Sequence, residues 1–172
     1  MTTRHYILLA EDDREEAFLV HWAFRRAGLP HQIIDVRDGE ATIKYLKGMP
    51  PFNDRLRYPP PRLLLLDLKM PKVNGFDVLA WLKTHREFNS LPAIVLSSSD
   101  FHADLKKARD LGAKEFLTKP HELEDLVRLV GGVHERWLTG EQPDSAIVTS
   151  LAQGTARTEV ESQMLPMSPS AT

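Results

Sequence analysis

The chain has 172 residues, 42% of them hydrophobic and 27% charged, with 22 Lys and Arg against 24 Asp and Glu and a formal charge of −2. That is room for one ordinary domain and a little more, and it excludes wholesale disorder and a chain built mainly to grip nucleic-acid phosphates. Cysteine is absent, so disulfides, thiolate metal sites and thiol nucleophiles are excluded, and the longest apolar run, around Leu63 to Leu66, is too short to span a bilayer.

In chain order, Tyr6–Ala10 (YILLA) reads as the first strand, apolar without alternation and so buried on both faces. Ala17, Val20, Phe24 and Ala27 recur at helical spacing, and Gly28 stops that helix. Gln32–Val36 is a weaker strand. Ile43 and Leu46 mark a short helix after the Asp38-Gly39 turn. Gly48–Pro61 (GMPPFNDRLRYPPP) is Pro-rich, which argues against helix or inner strand and for a surface excursion. Leu63–Leu66 is the third strand, and Asn74-Gly75 opens a helix marked by Phe76, Leu79 and Leu82 or Trp81. Ala93–Leu96 is the fourth strand. Ala103, Ala108 and Leu111 mark the next helix, closed by Gly112. Glu115–Thr118 is a short fifth strand placed near an edge. Leu123, Leu126, Val127, Val130 and Trp137 give the cleanest helical stripe. From Thr139 to Thr172 aromatics vanish and Ser, Thr, Ala, Gln and Pro dominate, which predicts a disordered tail after a domain over 4–138.

Strand followed by helix, five times over, predicts an α/β fold: a doubly wound, five-stranded parallel sheet of the flavodoxin-like (βα)5 class. Ligand chemistry in that class lies at the carboxyl ends of the strands. Those ends carry Glu11-Asp12-Asp13, Asp67, Ser97-Ser98-Ser99 and Lys119-Pro120. Each has a bland alternative. The acids suit a helix N-terminus, Asp67 a turn, the serines a cap, and Lys119 a solvated surface. The conjunction is what carries weight, since the fold gathers all four. Oxygen-only ligands select a hard cation, with Mg2+ the natural choice. A single Asp beside such an ion, with a Lys opposite, suits attack on a phosphoryl group.

Residues 4 to 138 resemble a response-regulator receiver domain of two-component signalling. Glu11 and Asp12 match the acidic pair, Asp67 within LLLLDLKMPKVNG the phosphoacceptor, Ser97 the Ser/Thr position, and Lys119-Pro120 the Lys-Pro pair. The resemblance implies that Asp12, Asp67 and the Lys69 backbone carbonyl ligate Mg2+, with Glu11 acting through water. It implies that Asp67 takes a phosphoryl group from a sensor histidine kinase, that Lys119 pairs with the phosphoryl oxygens, and that Ser97 and Phe116 form the switch. It also implies a cis Lys119–Pro120 bond. Departures from the commonest pattern are Glu at 11, Ser at 97 and Phe at 116. The expectation is a stand-alone, cytoplasmic, bacterial regulator rather than an enzyme. It binds neither nucleic acid nor membrane directly, and its switched face over the fourth and fifth helices is available for a partner or a homodimer. The Gly48–Pro61 stretch and the LDLKMPKVNG wording are similar to regulators paired with phytochrome-type or hybrid kinases.

Two other readings stand beside this one. A receiver-like binding module would work without phosphorylation. A haloacid-dehalogenase-like phosphatase would want its nucleophilic Asp after the first strand with a second Asp two residues on, where this chain has contiguous Glu11-Asp12-Asp13.

Overall fold

The computed structural model describes residues 4–98, 102–139 and 148–149. Strand and helix alternate: β1 (Tyr6–Ala10), α1 (Arg14–Arg26), β2 (Gln32–Val36), α2 (Gly39–Lys47), β3 (Leu63–Leu66), α3 (Gly75–Thr84), β4 (Ala93–Ser97), α4 (His102–Asp110), β5 (Glu115–Thr118), α5 (Leu123–Trp137) and β6 (Val148–Thr149). The sheet order is β2-β1-β3-β4-β5-β6, and every pairing is parallel. The five-strand reading holds for β1 to β5.

Strand residues alternate between two cores, as the two-residue period of a strand requires. Ile7, Leu9, Leu63, Leu65, Ile94, Leu96 and Leu117 meet α1 and α5 on one face. Leu8, Ala10, Leu64, Leu66, Val95 and Phe116 meet α2, α3 and α4 on the other. Both faces are covered, which is why these strands read as unbroken apolar runs.

Helix starts follow the caps in the sequence. Asp13 accepts from the Glu15 and Glu16 amides, Asp38 from Ala41, and Asn74 forms a capping box with Asp77. Two stripes differ from expectation. In α2 the buried side chains are Thr42, Tyr45 and Leu46, with Ile43 only partly covered. In α5 they are Leu126, Val130, Val133 and Trp137, while Leu123 is exposed because it opens the helix beyond the sheet.

The 48–61 stretch is a surface excursion, and it is tied down. Arg55 donates to the Tyr45 and Leu46 carbonyls in the last turn of α2 and to the Tyr58 carbonyl of the excursion itself, tying the two together. Phe52 and Tyr58 pack their rings on Tyr45, and the Tyr45 hydroxyl donates to the Pro59 carbonyl at 2.8 Å.

Within the stretch read as a tail, two residues beyond Thr139 are described. Val148 and Thr149 pair with Glu115 and Phe116 of β5, so β5 is flanked on both sides. The outer edge of β5 offers unpaired amides and carbonyls, and two β-branched residues suit that template. The rest of the tail lies outside the described residues.

Candidate functional site

Backbone ladders fix the site before any side chain does. The Glu11 amide donates to Val36 O and the Asp67 amide to Ala10 O, so the ends of β2, β1 and β3 are stitched together. The Lys119 amide donates to Ser97 O at 2.9 Å and joins β5 to β4 in the same way. The four predicted stretches therefore share one rim.

Glu11, Asp12 and Asp67 each bring a carboxylate oxygen to within 4.8 Å of the others. Glu11 and Asp67 are buried and Asp12 is exposed. Lys119 enters from β5: its Nζ lies 2.6 Å from Glu11 Oε2 and 3.4 Å from Asp67 Oδ1. The Lys69 amide donates to Asp67 Oδ2 at 2.7 Å and fixes that carboxylate, while the Lys69 side chain is exposed. Ser97 is fully buried at the end of β4. Phe116 is buried in the core under β4 and β5, so its ring already lies inward. Pro120 is half-buried.

The electrostatics follow from crowding. Burial pushes the Glu11 carboxyl up to about 7; Lys119 opposes the shift through its hydrogen bond and charge, and the Asp67 charge adds to it. Burial alone would lower Lys119, but Glu11, Glu16 and Asp67 outweigh it and hold the amine above its usual range as an ammonium. Burial and the Asp67 charge thus favour the protonated form of Glu11, and a divalent cation beside the acids would relieve the same crowding. The donors are all oxygens, clustered and partly open to water, which fits a hard ion such as Mg2+ that keeps several waters.

Asp13 is the N-cap of helix α1, in keeping with the helix N-terminus reading of the strand-end acids, and is not part of the cluster. One expectation changes. Among the described residues the cis peptide bond is Pro50–Pro51, so the Lys119–Pro120 bond departs from the expected cis form and keeps the ordinary trans preference of X-Pro bonds. Sequence reasoning also missed Glu16, whose Oε2 contacts Lys119 Nζ directly. The signal was its place in the first turn of α1, which starts at the same strand end.

The family model for the response regulator receiver domain matches residues 7–131. The chain belongs to this family. This receiver is 38% identical over 132 residues to a probable methanogenesis regulatory protein, FilR2, of Methanothrix harundinacea, covering 77% of this chain and 83% of that one. It is 33% identical over 132 residues to response regulator Rcp1 of Synechocystis, covering 77% and 88%. The structure of Rcp1 in an Mn(2+)-bound form superposes with a TM-score of 0.70 at 32% identity, covering 80% of this receiver and 96% of that chain. The phosphorylated cyanobacterial phytochrome response regulator RcpA does so with a TM-score of 0.73 at 32% identity, covering 81% and 97%. Among the described residues no helix is long and apolar enough to cross a membrane.

Proposed function

We propose that this receiver accepts a phosphoryl group on Asp67, in a reaction that depends on Mg2+, from the phosphohistidine of a sensor histidine kinase. The observation that carries the reading is Asp67 itself, a buried carboxylate clustered with Glu11 and Asp12 after β1 and 3.4 Å from the Lys119 ammonium. An Asp67 oxygen attacks phosphorus as the P–N bond to the histidine breaks, and the departing imidazole keeps the bond electrons and takes a proton. Asp12, Asp67 and the Lys69 carbonyl would hold the metal, with Glu11 behind them. The metal supplies positive charge to the transferring phosphoryl oxygens. Lys119 supplies the second positive charge, and Ser97 hydrogen-bonds the transferred group while Phe116 holds the switched packing of β4 and β5. The likeness to regulators named for phytochromes supports a phytochrome-type or hybrid kinase as the donor. The setting is cytoplasmic. The output is a changed face over α4, β5 and α5 that binds a partner or a second copy, without turnover of an external substrate.

The test is intact-mass measurement after incubation with Mg2+ and acetyl phosphate. The expected outcome is one added phosphoryl group, labile to alkali, and absent in Asp67→Asn and in chelator. Labelling on Ser97 or on a histidine overturns the assignment.

A further inference from the structure

Glu16 is the member of the Lys119 cluster for which the phosphotransfer scheme has no use. It is carried by α1, not by a strand end, and its carboxylate lies outside the group formed by Glu11, Asp12 and Asp67. Its side chain is 39% exposed, while that of Lys119 is only 14% exposed. An ammonium has three N–H donors. Here they face three carboxylates: Glu11 at 2.6 Å, Glu16 in direct contact, and Asp67 at 3.4 Å, beyond ordinary hydrogen-bond length. The amine is therefore held by Glu11 and, from the α1 side, by Glu16, and off the one carboxylate that is to carry phosphate.

We propose that Glu16 is a positioning residue that restrains the reaction at Asp67 by holding Lys119 toward α1 and by placing a negative charge at the mouth of the site. The inference rests on the phosphotransfer reading above and adds the residue that sets its rate. Two effects act in the same direction. Lys119 must give a donor to the phosphoryl oxygens, and Glu16 competes for that donor. The incoming phosphoryl group is itself anionic, and the Glu16 carboxylate repels it. Glu11 cannot be varied for this purpose without disturbing the metal cluster, whereas Glu16 can.

The test uses the full chain and its variants Glu16→Gln and Glu16→Ala, with Mg2+ and acetyl phosphate, following intact mass over time across donor concentrations. Gln keeps length and shape while removing charge, and Ala removes both. Both variants are expected to label Asp67 roughly threefold to tenfold faster at saturating donor, the scale of removing one like charge from a partly screened site, and to reach half-saturation at a lower donor concentration because the repulsion is gone. The 15Nζ resonance of Lys119 in the unphosphorylated chain is expected to move in Glu16→Gln, which reads the contact without any turnover. Wild-type labelling on Asp67 with variants that are no faster, or an unmoved Lys119 resonance, overturns the role of Glu16 and leaves the phosphotransfer reading standing. A wild-type chain that takes up no phosphoryl group overturns that reading and this inference with it.

Discussion

On the proposed function, Glu11 couples the site to both protons and metal. Its folded-state pKa of about 7 stands above the ordinary 4.5 because the carboxyl is buried. Between those values the folded chain holds more proton than the unfolded chain, so Glu11 contributes stability that is full below about 4.5 and is lost as pH rises through about 7. A divalent cation bound there would take the proton's place and stabilise the fold by mass action. The gain in melting temperature on adding millimolar Mg2+ should therefore grow from pH 6 to pH 8, and Glu11→Gln should flatten that growth; scanning fluorimetry reads both. An equal gain at all pH values in the wild type would contradict it. The residues of this site were unequally legible in the sequence. Glu11, Asp67 and Ser97 each directly follow an apolar run and Lys119 follows the short strand EFLT, so the strand reading alone put them on one rim. Glu16 was hidden because an acid in a helix's first turn is already accounted for by the macrodipole. Asp13 was legible as a cap: it neighbours the pair in sequence and spends its carboxylate on the α1 amides.

At the level of elements, α3 leans on the very backbone that carries Asp67. A Cβ on Gly75 would come 2.3 Å from the Asp67 carbonyl oxygen and 2.8 Å from Leu68 Cα. The Gly75 amide donates to the Leu68 carbonyl at 3.1 Å, so helix and loop are locked together. Helix propensity alone favours Ala over Gly by about 1 kcal/mol. Packing decides the other way, and Gly75→Ala should destabilise the chain by about 1–3 kcal/mol, the usual cost of forcing atoms into a filled site. It should also weaken Mg2+ binding, because the loop it displaces holds Asp67. Urea denaturation with and without Mg2+ measures both effects, and a more stable variant would refute the argument. The Asn74-Gly75 start of α3 was readable from the sequence as a turn, but the close approach to Asp67 was not, since it depends on where α3 crosses the loop. Strands β1, β3 and β4 were readable because a doubly covered sheet writes itself as unbroken apolar runs. Two-residue β6 was not, because its pairing is supplied by the edge of β5 and not by any pattern of its own.

Across the whole molecule, the two ends of the sheet carry opposite pH responses. The carboxyl ends hold the acids; the amino ends hold three histidines drawn from distant parts of the chain. His5 precedes β1, His31 precedes β2, and His134 lies in the last turn of α5. The His5 amide donates to His31 Nδ1 at 3.3 Å. That leaves the His31 proton on Nε2, which donates to His134 Nδ1 at 2.9 Å. His5 Nε2 lies 3.1 Å from the Leu138 carbonyl and stacks on His31, so the start of the chain is fastened to the end of α5. A proton added to His31 Nδ1 would meet the His5 amide, and no acceptor is offered there. Burial, and then the neighbouring His134 and His5, lower the His31 pKa from 6.5 to about 4. Between those values the unfolded chain binds the proton that the folded chain refuses, so stability falls as pH drops through that window. The sign is the reverse of that for Glu11, and Mg2+ separates the two because it acts only at the acid end. With Mg2+ saturating, the urea midpoint should fall from pH 7 to pH 4.5. Screening of the partly exposed ring holds the His31 share to about 1 kcal/mol. His31→Gln should remove that share while leaving the labelling rate of Asp67 at pH 7 unchanged. A variant with the same acid limb as the wild type would show that the three imidazoles do not fasten the start of β1 to the end of α5 in this way.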